Sequence, residues 1–328
     1  MITNSIVDVA GIKVGQVENE LACTGCTVIL CEKGAVAGVD QRGGAPGTRE
    51  TDLLRPMHLV EKVHAVVLSG GSAFGLDAAT GVMRFLEEKK VGFNTGVARV
   101  PIVPAAVIYD LAIGDAKVRP DAEMGYAACM KADDQKPLEG NLGAGMGASV
   151  GKIFGLTRAM KSGIGTASIS IGNGVVVAAL MVVNAFGDVW DPELHSIVAG
   201  ARQITSSRKS FKPANTIEML KNFTGRASFS FAAGQNTVIG VVATNARLTK
   251  EEVNKVAQMA QNGIAATIRP AHTMLDGDTI FALSYGNHKS DVSIVGAFSA
   301  VAVEKAILSG TRAARSINNL PAAFEFSG

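Results

Sequence analysis

A threonine stands where a polar segment runs into an apolar one. The stretch Gly234-Gln235-Asn236-Thr237 leads directly into Val238-Ile239-Gly240-Val241-Val242-Ala243-Thr244. Ser206, Ser207, Arg208, Lys209, Ser210, Lys212 and Pro213 upstream have the composition of a loop. The valine- and isoleucine-rich run downstream reads as a buried strand. A hydroxyl at the rim of a rigid strand, with a flexible segment attached, is placed to attack the peptide bond that precedes it. Cleavage there releases an α-amine beside the same hydroxyl, and such an amine, with a reference pKa of about 7.7–8.0, is a base near neutral pH. An ordinary turn entering a strand is the plainer reading of Asn236-Thr237.

Two further polar positions border strands. Asp276-Gly277-Asp278 precedes Thr279–Tyr285, a strand entry at which alternate residues share a face. The pair suits metal binding, or the orienting of a nucleophile and its amine, or an Asx turn that caps the strand. Asn184 ends the most apolar strand of the chain, Val175 to Asn184, where a side-chain amide either donates to an oxyanion or closes a strand-end turn.

Other motifs fall short of the chemistry they resemble. Gly143-Ala-Gly145-Met-Gly-Ala148 matches G-x-G-x-x-A but lacks a good preceding strand. Gly151-Lys152 lacks the Ser or Thr of a P-loop, and Gly70-Gly71-Ser72-Ala73-Phe74 misses a nucleophile elbow. Cys23-Thr-Gly-Cys26 has no second CxxC and no nearby histidine, so Cys23, Cys26, Cys31 and Cys129 read as free thiols. His58, His64, His195, His272 and His288 show no metal-ligand spacing. No cofactor and no metal are expected.

The elements that must position these groups are those of a layered α/β protein. Of 328 residues 47% are hydrophobic and only 18% charged, which favours much buried sheet. The net charge of +2 argues against duplex nucleic acid, and 5% aromatic residues against a base-stacking platform. No apolar run is expected to reach membrane-spanning length, and Met1-Ile-Thr-Asn-Ser has no signal-peptide pattern, so a cytoplasmic protein without membrane partners is expected. The pattern predicts a strand over Val63–Ser69 and a helix over Leu76–Lys90. It also predicts a helix capped by Thr249-Lys-Glu-Glu252 that stops at Gly263, and a helix over Val292–Leu308 that ends at Gly310. The last is apolar nearly all round and is expected to be buried on both sides.

Taken together, Gly234–Thr237 with its strand, Ala271-His-Thr-Met-Leu-Asp276-Gly-Asp278-Thr, Ala106-Val-Ile-Tyr109-Asp, Gly143-Ala-Gly145-Met and the Lys152 region resemble the DmpA-type family. That family comprises L-aminopeptidases/D-esterases, β-peptidyl aminopeptidases and 6-aminohexanoate-oligomer (nylon-oligomer) endohydrolases. The resemblance runs from Gly11 to about Lys305. It implies a four-layer αββα sandwich of the DmpA/ornithine acetyltransferase type, with 1–328 as a single layered domain. It also implies self-processing between Asn236 and Thr237 into chains 1–236 and 237–328, with Thr237 as the N-terminal nucleophile. On this resemblance the Thr237 amine or Lys152 moves the proton. Asp276 and Asp278 hold amine and hydroxyl in register, and Asn184 with Tyr109 serves the oxyanion. Many aminopeptidase members have serine at the nucleophile and a downstream serine and glutamate. Thr237 with Asp276 and Asp278 is closer to the nylon-oligomer hydrolases. The implied substrate is a short peptide or amide oligomer, and the implied assembly a homotetramer or larger. An aminopeptidase, an acyltransferase on the same fold, and a non-catalytic small-ligand binder are the competing readings.

Overall fold

The computed structural model describes residues 2–203, 212–222 and 236–326. Gly234, Gln235 and the Ser206–Ser210 segment therefore lie outside the described residues. Nine strands form one hydrogen-bonded sheet system. They are β1 (Lys13–Asn19), β2 (Thr24–Gln41), β3 (Thr48–Arg49), β4 (Lys62–Ser69), β5 (Ala105–Val107), β6 (Ile164–Ser170), β7 (Val176–Asn184), β8 (Thr237–Ala246) and β9 (Thr279–His288). The spatial order is β6-β7-β8-β9-β2-β4-β5-β3, with β1 also paired to β2. The pairs β8/β9 and β4/β5 are parallel and the others antiparallel.

β2 divides this system into two leaves. Its first half pairs with β1 and β4, its second half with β9, and its register with β4 shifts between Leu30 and Ala35. Strand alternation then builds the layers. Ile29 of β2 and Val66 and Leu68 of β4 share one apolar core with Leu180 and Val182 of β7, Ile239 and Val241 of β8 and Phe281 of β9. That core lies between the leaves. The opposite faces of β2 and β4 (Val28, Leu30, Ala65, Val67) pack on α1 (Ala78–Glu88) and α2 (Ala122–Met130). The opposite faces of β7 to β9 (Val177, Met181, Val183, Val242, Ala282) pack on α3 (Lys250–Thr267) and α4 (Val292–Ala313). The result is helices, sheet, sheet, helices: the expected four-layer αββα sandwich. Strands covered on both faces read as unbroken apolar runs, which is why β7 and β8 stand out in the sequence.

Several expectations about helices are corrected. The helix that begins at the Thr249–Glu252 capping box does not stop at Gly263 but runs to Thr267. A Cβ on Gly263 would lie 2.3 Å from the Ala300 carbonyl oxygen of α4, so this glycine serves close helix crossing rather than termination. Likewise α4 passes through Gly310 to Ala313, because Gly310 packs directly on the Ile164–Gly165 backbone of β6. Nor is α4 buried on both sides: Val295, Ser299, Ala302 and Ala306 face the sheet, while Ile294, Phe298 and Val301 are exposed. At 22 residues and a mean hydropathy of 1.6, α4 also meets the length and apolarity of a membrane span, contrary to the sequence-based expectation; here it packs along β6, β7 and α3. The first helix is shorter than expected, since residues Ser72–Asp77 form a 3-10 segment before α1.

Candidate functional site

The topology gathers the polar residues at one end of the leaf formed by β7, β8 and β9. Antiparallel pairing sets Asn184, the last residue of β7, opposite Thr237, the first of β8. Parallel pairing of β8 with β9 brings the approach to β9, Asp276-Gly277-Asp278, beside the same end. Asn236 continues β8 by one bridge to Asp276. Thr237 and Asn236 are both buried.

The Thr237 hydroxyl donates to the Asn236 carbonyl oxygen, so the candidate nucleophile lies against the peptide bond that precedes it. The same oxygen accepts from the Gly277 backbone N–H at 3.0 Å. The side-chain Oδ1 of Asn236 is buried and has no hydrogen-bond partner among the described residues.

Each aspartate is fixed on both oxygens. Asp276 accepts from the Phe186 N–H at 3.2 Å on Oδ1, and from the Thr273 N–H at 3.1 Å and the Thr273 hydroxyl on Oδ2. Burial, then the charge of Asp278, pushes the Asp276 carboxyl well above the usual carboxylate range. Asp278 accepts from the Val238 N–H at 2.7 Å on Oδ1, which ties it to the residue after Thr237. Its Oδ2 accepts from the His272 N–H at 3.0 Å and contacts His272 Nδ1 at 2.8 Å. The pair thus splits: Asp276 braces the β7 exit, Asp278 the β8 entry. Neither behaves as a simple Asx cap, and no cluster of three or more His, Cys, Asp or Glu suited to a metal occurs among the described residues.

Lys152 enters from a different segment. The N–H groups of Gly151 and Lys152 donate to the carbonyls of Gly187 and Phe186, both at 3.0 Å, which lays this stretch against the chain just past β7. The lysine is buried, and its Nζ donates to Asn184 Oδ1 at 2.7 Å and to the Asn184 carbonyl at 3.0 Å. Desolvation lowers its pKa to about 7, against the opposing pull of Asp276 and Asp110. Asn184 Oδ1 also accepts from the Ser149 N–H at 3.1 Å, while Nδ2 donates to the Tyr109 carbonyl at 3.2 Å. Asn184 therefore holds the lysine and the Tyr109 backbone together. The Tyr109 residue lines a small cavity with Asp110, Ser149 and Lys152.

Sequence reasoning gave no role to several neighbours. His272 and Thr273 were visible only as parts of a motif; their offsets of six and three residues from Asp278 and Asp276 are the local signal for these contacts. Asp110 accepts from the Thr24 hydroxyl and the Gly71 N–H, each at 2.7 Å, and burial raises its pKa. Lys161 is fully buried, its Nζ donating to the carbonyls of Gly145, Ala148 and Ser162, and desolvation lowers its pKa to about 7. Nothing in the sequence marks Lys161, because its partners are backbone carbonyls. All four cysteines are free and buried, and burial raises the pKa of Cys26, Cys31 and Cys129. They have the character of packed, unreactive thiols. The Gly143–Gly145 segment forms a 3-10 turn packed on β2.

The chain is similar to known proteins over nearly its whole length. The model of peptidase family S58 matches residues 4–322. An uncharacterized aminopeptidase of Mycobacterium leprae is 42% identical over 97% of this chain and 92% of its own length. A 6-aminohexanoate-oligomer endohydrolase of Kocuria is 33% identical over 84% of this chain and 74% of its own. Among solved structures, the L-aminopeptidase D-Ala-esterase/amidase of Ochrobactrum anthropi, a variant of the Ntn hydrolase fold, superposes with a TM-score of 0.72. It shares 19% identity, over 97% of this chain and 88% of that one.

Proposed function

The chain belongs to peptidase family S58 and is a hydrolase of peptide or amide bonds, and from that premise we propose that it matures by cutting its own Asn236–Thr237 bond and then works through Thr237 as an N-terminal nucleophile. The observation that carries this reading is the Thr237 hydroxyl lying on the Asn236 carbonyl at the mouth of β8, with a buried lysine of depressed pKa two contacts away through Asn184.

In the first reaction Thr237 Oγ attacks the Asn236 carbonyl carbon. The C–N bond breaks, the Thr237 nitrogen gains a proton, and an ester remains, which water hydrolyses to the Asn236 carboxylate and a free N-terminal threonine. In the second, the same Oγ attacks a substrate amide and forms an acyl-enzyme that water releases. Lys152, neutral in appreciable fraction near pH 7, or the new α-amine moves the proton. Asp278, through Val238 N–H, fixes where Thr237 sits, and Asn184 fixes Lys152.

Short peptides and 6-aminohexanoate oligomers are the proposed substrates. The 33% identity to the 6-aminohexanoate-oligomer endohydrolase of Kocuria supports the oligomer. The higher identity to the mycobacterial aminopeptidase supports removal of single N-terminal residues as a second reading. Intact-mass measurement of purified protein tests the class: two chains, one beginning at Thr237, are expected, and Thr237→Ala is expected to remain one inactive chain. Amide hydrolysis by protein with the bond uncut in every molecule overturns it. Parallel assays with aminoacyl p-nitroanilides and with 6-aminohexanoate oligomers separate the two substrate readings.

A further inference from the structure

We infer that the backbone N–H of Gly277 is the oxyanion donor of this site, first for the chain's own Asn236 carbonyl and then for the carbonyl of the substrate. The inference rests on the proposed self-cleavage and adds to it the group that receives the negative charge.

The geometry is that of a donor fixed before reaction. The Asp276–Asp278 segment is stapled from one side by the loop that follows β2: the Ala45 N–H donates to the Asp276 carbonyl at 2.8 Å and the Arg42 N–H to the Asp278 carbonyl at 2.9 Å. The carbonyls flanking Gly277 are thus engaged with the loop. The Gly277 N–H is turned to the chain that carries Thr237, and it meets the Asn236 oxygen at 3.0 Å. The side chains of the same segment are held too, by Phe186, Thr273, Val238 and His272. A donor so held needs no reorganisation as charge develops.

The absence of a side chain at this position has its own reason. A Cβ on Gly277 would lie 2.6 Å from the Ala45 carbonyl oxygen and 3.0 Å from Thr237 Oγ. Gly277 therefore leaves its N–H and the attacking oxygen side by side on one carbonyl. Of the side-chain donors nearby, Asn184 directs an Nδ2–H to the Tyr109 carbonyl at 3.2 Å.

The Thr237 Oγ–C bond forms as the carbonyl π pair moves onto the Asn236 oxygen, where the Gly277 N–H holds it. The pair then returns, the C–N bond breaks, and the proton lost from Oγ passes through Lys152 to the departing nitrogen. After hydrolysis of the ester, Asn236 withdraws and its carbonyl position is open to a substrate carbonyl, which meets the same N–H.

The test replaces one atom. Incorporating glycolic acid at position 277 by nonsense suppression exchanges the N–H for an ester oxygen without adding bulk. This change also weakens the Asp276 carbonyl as an acceptor, so lactic acid at position 45, which deletes the Ala45 N–H bonded to that carbonyl, is the control. Self-cleavage is followed by intact mass. The 277 ester is expected to cut about 10²–10³-fold more slowly than wild type, as for loss of one oxyanion donor, and the 45 ester within about threefold of it. In matured material the 277 ester is expected to lower kcat and leave KM nearly unchanged, a split that loss of packing alone does not give. Gly277→Ala, which keeps the N–H but crowds Thr237 Oγ, is expected to slow cleavage as well. A 277 ester that cuts at the wild-type rate overturns this inference alone, and so does a 45 ester slowed as much as the 277 ester. A wild-type chain that never cuts overturns it together with the proposed function.

Discussion

The proposed self-cleavage has a base available that can be tested apart from the later chemistry. Before cleavage the Thr237 nitrogen is an amide and cannot take a proton usefully, so only Lys152 among the groups described offers an amine near the site. Desolvation brings its pKa to about 7. A base titrating there is about half neutral at pH 7 and about one part in a hundred neutral at pH 5, since each unit below the pKa is about a tenfold loss. The self-cleavage rate is therefore expected to fall about 50-fold from pH 7 to pH 5 and to level off above about pH 8. Lys152→Met is expected to cut about 10²–10⁴-fold more slowly and to lose the slope. Asp276 also titrates high, so Asp276→Asn serves as the control: if the lysine is the base, this variant retains the slope whatever its absolute rate. The assay is fresh translation at pH 5, followed by a jump to each pH with quenched samples weighed intact. A flat profile between pH 5 and 8, or a Lys152→Met chain maturing at the native rate, refutes the assignment of Lys152.

Other outcomes follow from the same contacts. Lys152 and Lys161 bind fewer protons folded than unfolded between about pH 7 and their ordinary value of 10.5, so stability should rise with pH through that window; thermal melts at pH 7 and 9 should show this, with a shallower rise in Lys161→Met. Asp278→Ala leaves the buried Val238 N–H unpaired, which should lower stability by about 1–3 kcal/mol in denaturant titration as well as slow maturation. Gly263→Val should be destabilising by about 1–3 kcal/mol through overpacking against Ala300 of α4, with the site's chemistry intact in the folded fraction. Thr237→Ser should still mature, since it keeps the hydroxyl on the Asn236 carbonyl; an uncut serine variant would count against a hydroxyl nucleophile.

The layers and the site were legible in the sequence to different degrees. β7 and β8 are apolar on both faces, and that pattern announces strands covered on both sides. The helix ends were less legible, because a glycine in a helical pattern carries the same signal whether it stops the helix or lies inside it. At Gly263 and Gly310 the missing Cβ instead lets a helix approach a neighbour's backbone, a contact between residues far apart in the chain. Thr237, Asn184 and the aspartates lie at strand ends and stood out there. Pairing across the sheet decides that Asn184 faces Thr237, and local sequence carries no record of it. The groups least visible were those acting through the main chain, Gly277 N–H and the three carbonyls on Lys161. A backbone donor has no residue type, and only the fold shows where it aims.

The order of strands bears on what the proposed cut would leave behind. β8 and β9 lie between β7 and β2, so the segment from Thr237 onward is a wedge of two inner strands flanked on each side by strands from the earlier part of the chain. Scission at Thr237 would leave that wedge seated, held by ladders on two edges and by its own helices α3 and α4, which pack on β2, β6 and β7. The cut protein should migrate unchanged under native conditions and separate only in denaturant. Folding would then have become irreversible in practice. Before the cut it is a concentration-independent rearrangement of one molecule; afterwards two polypeptides must find each other and re-thread the wedge. Activation would in this way turn a protein that can refold into one whose lifetime depends on never unfolding.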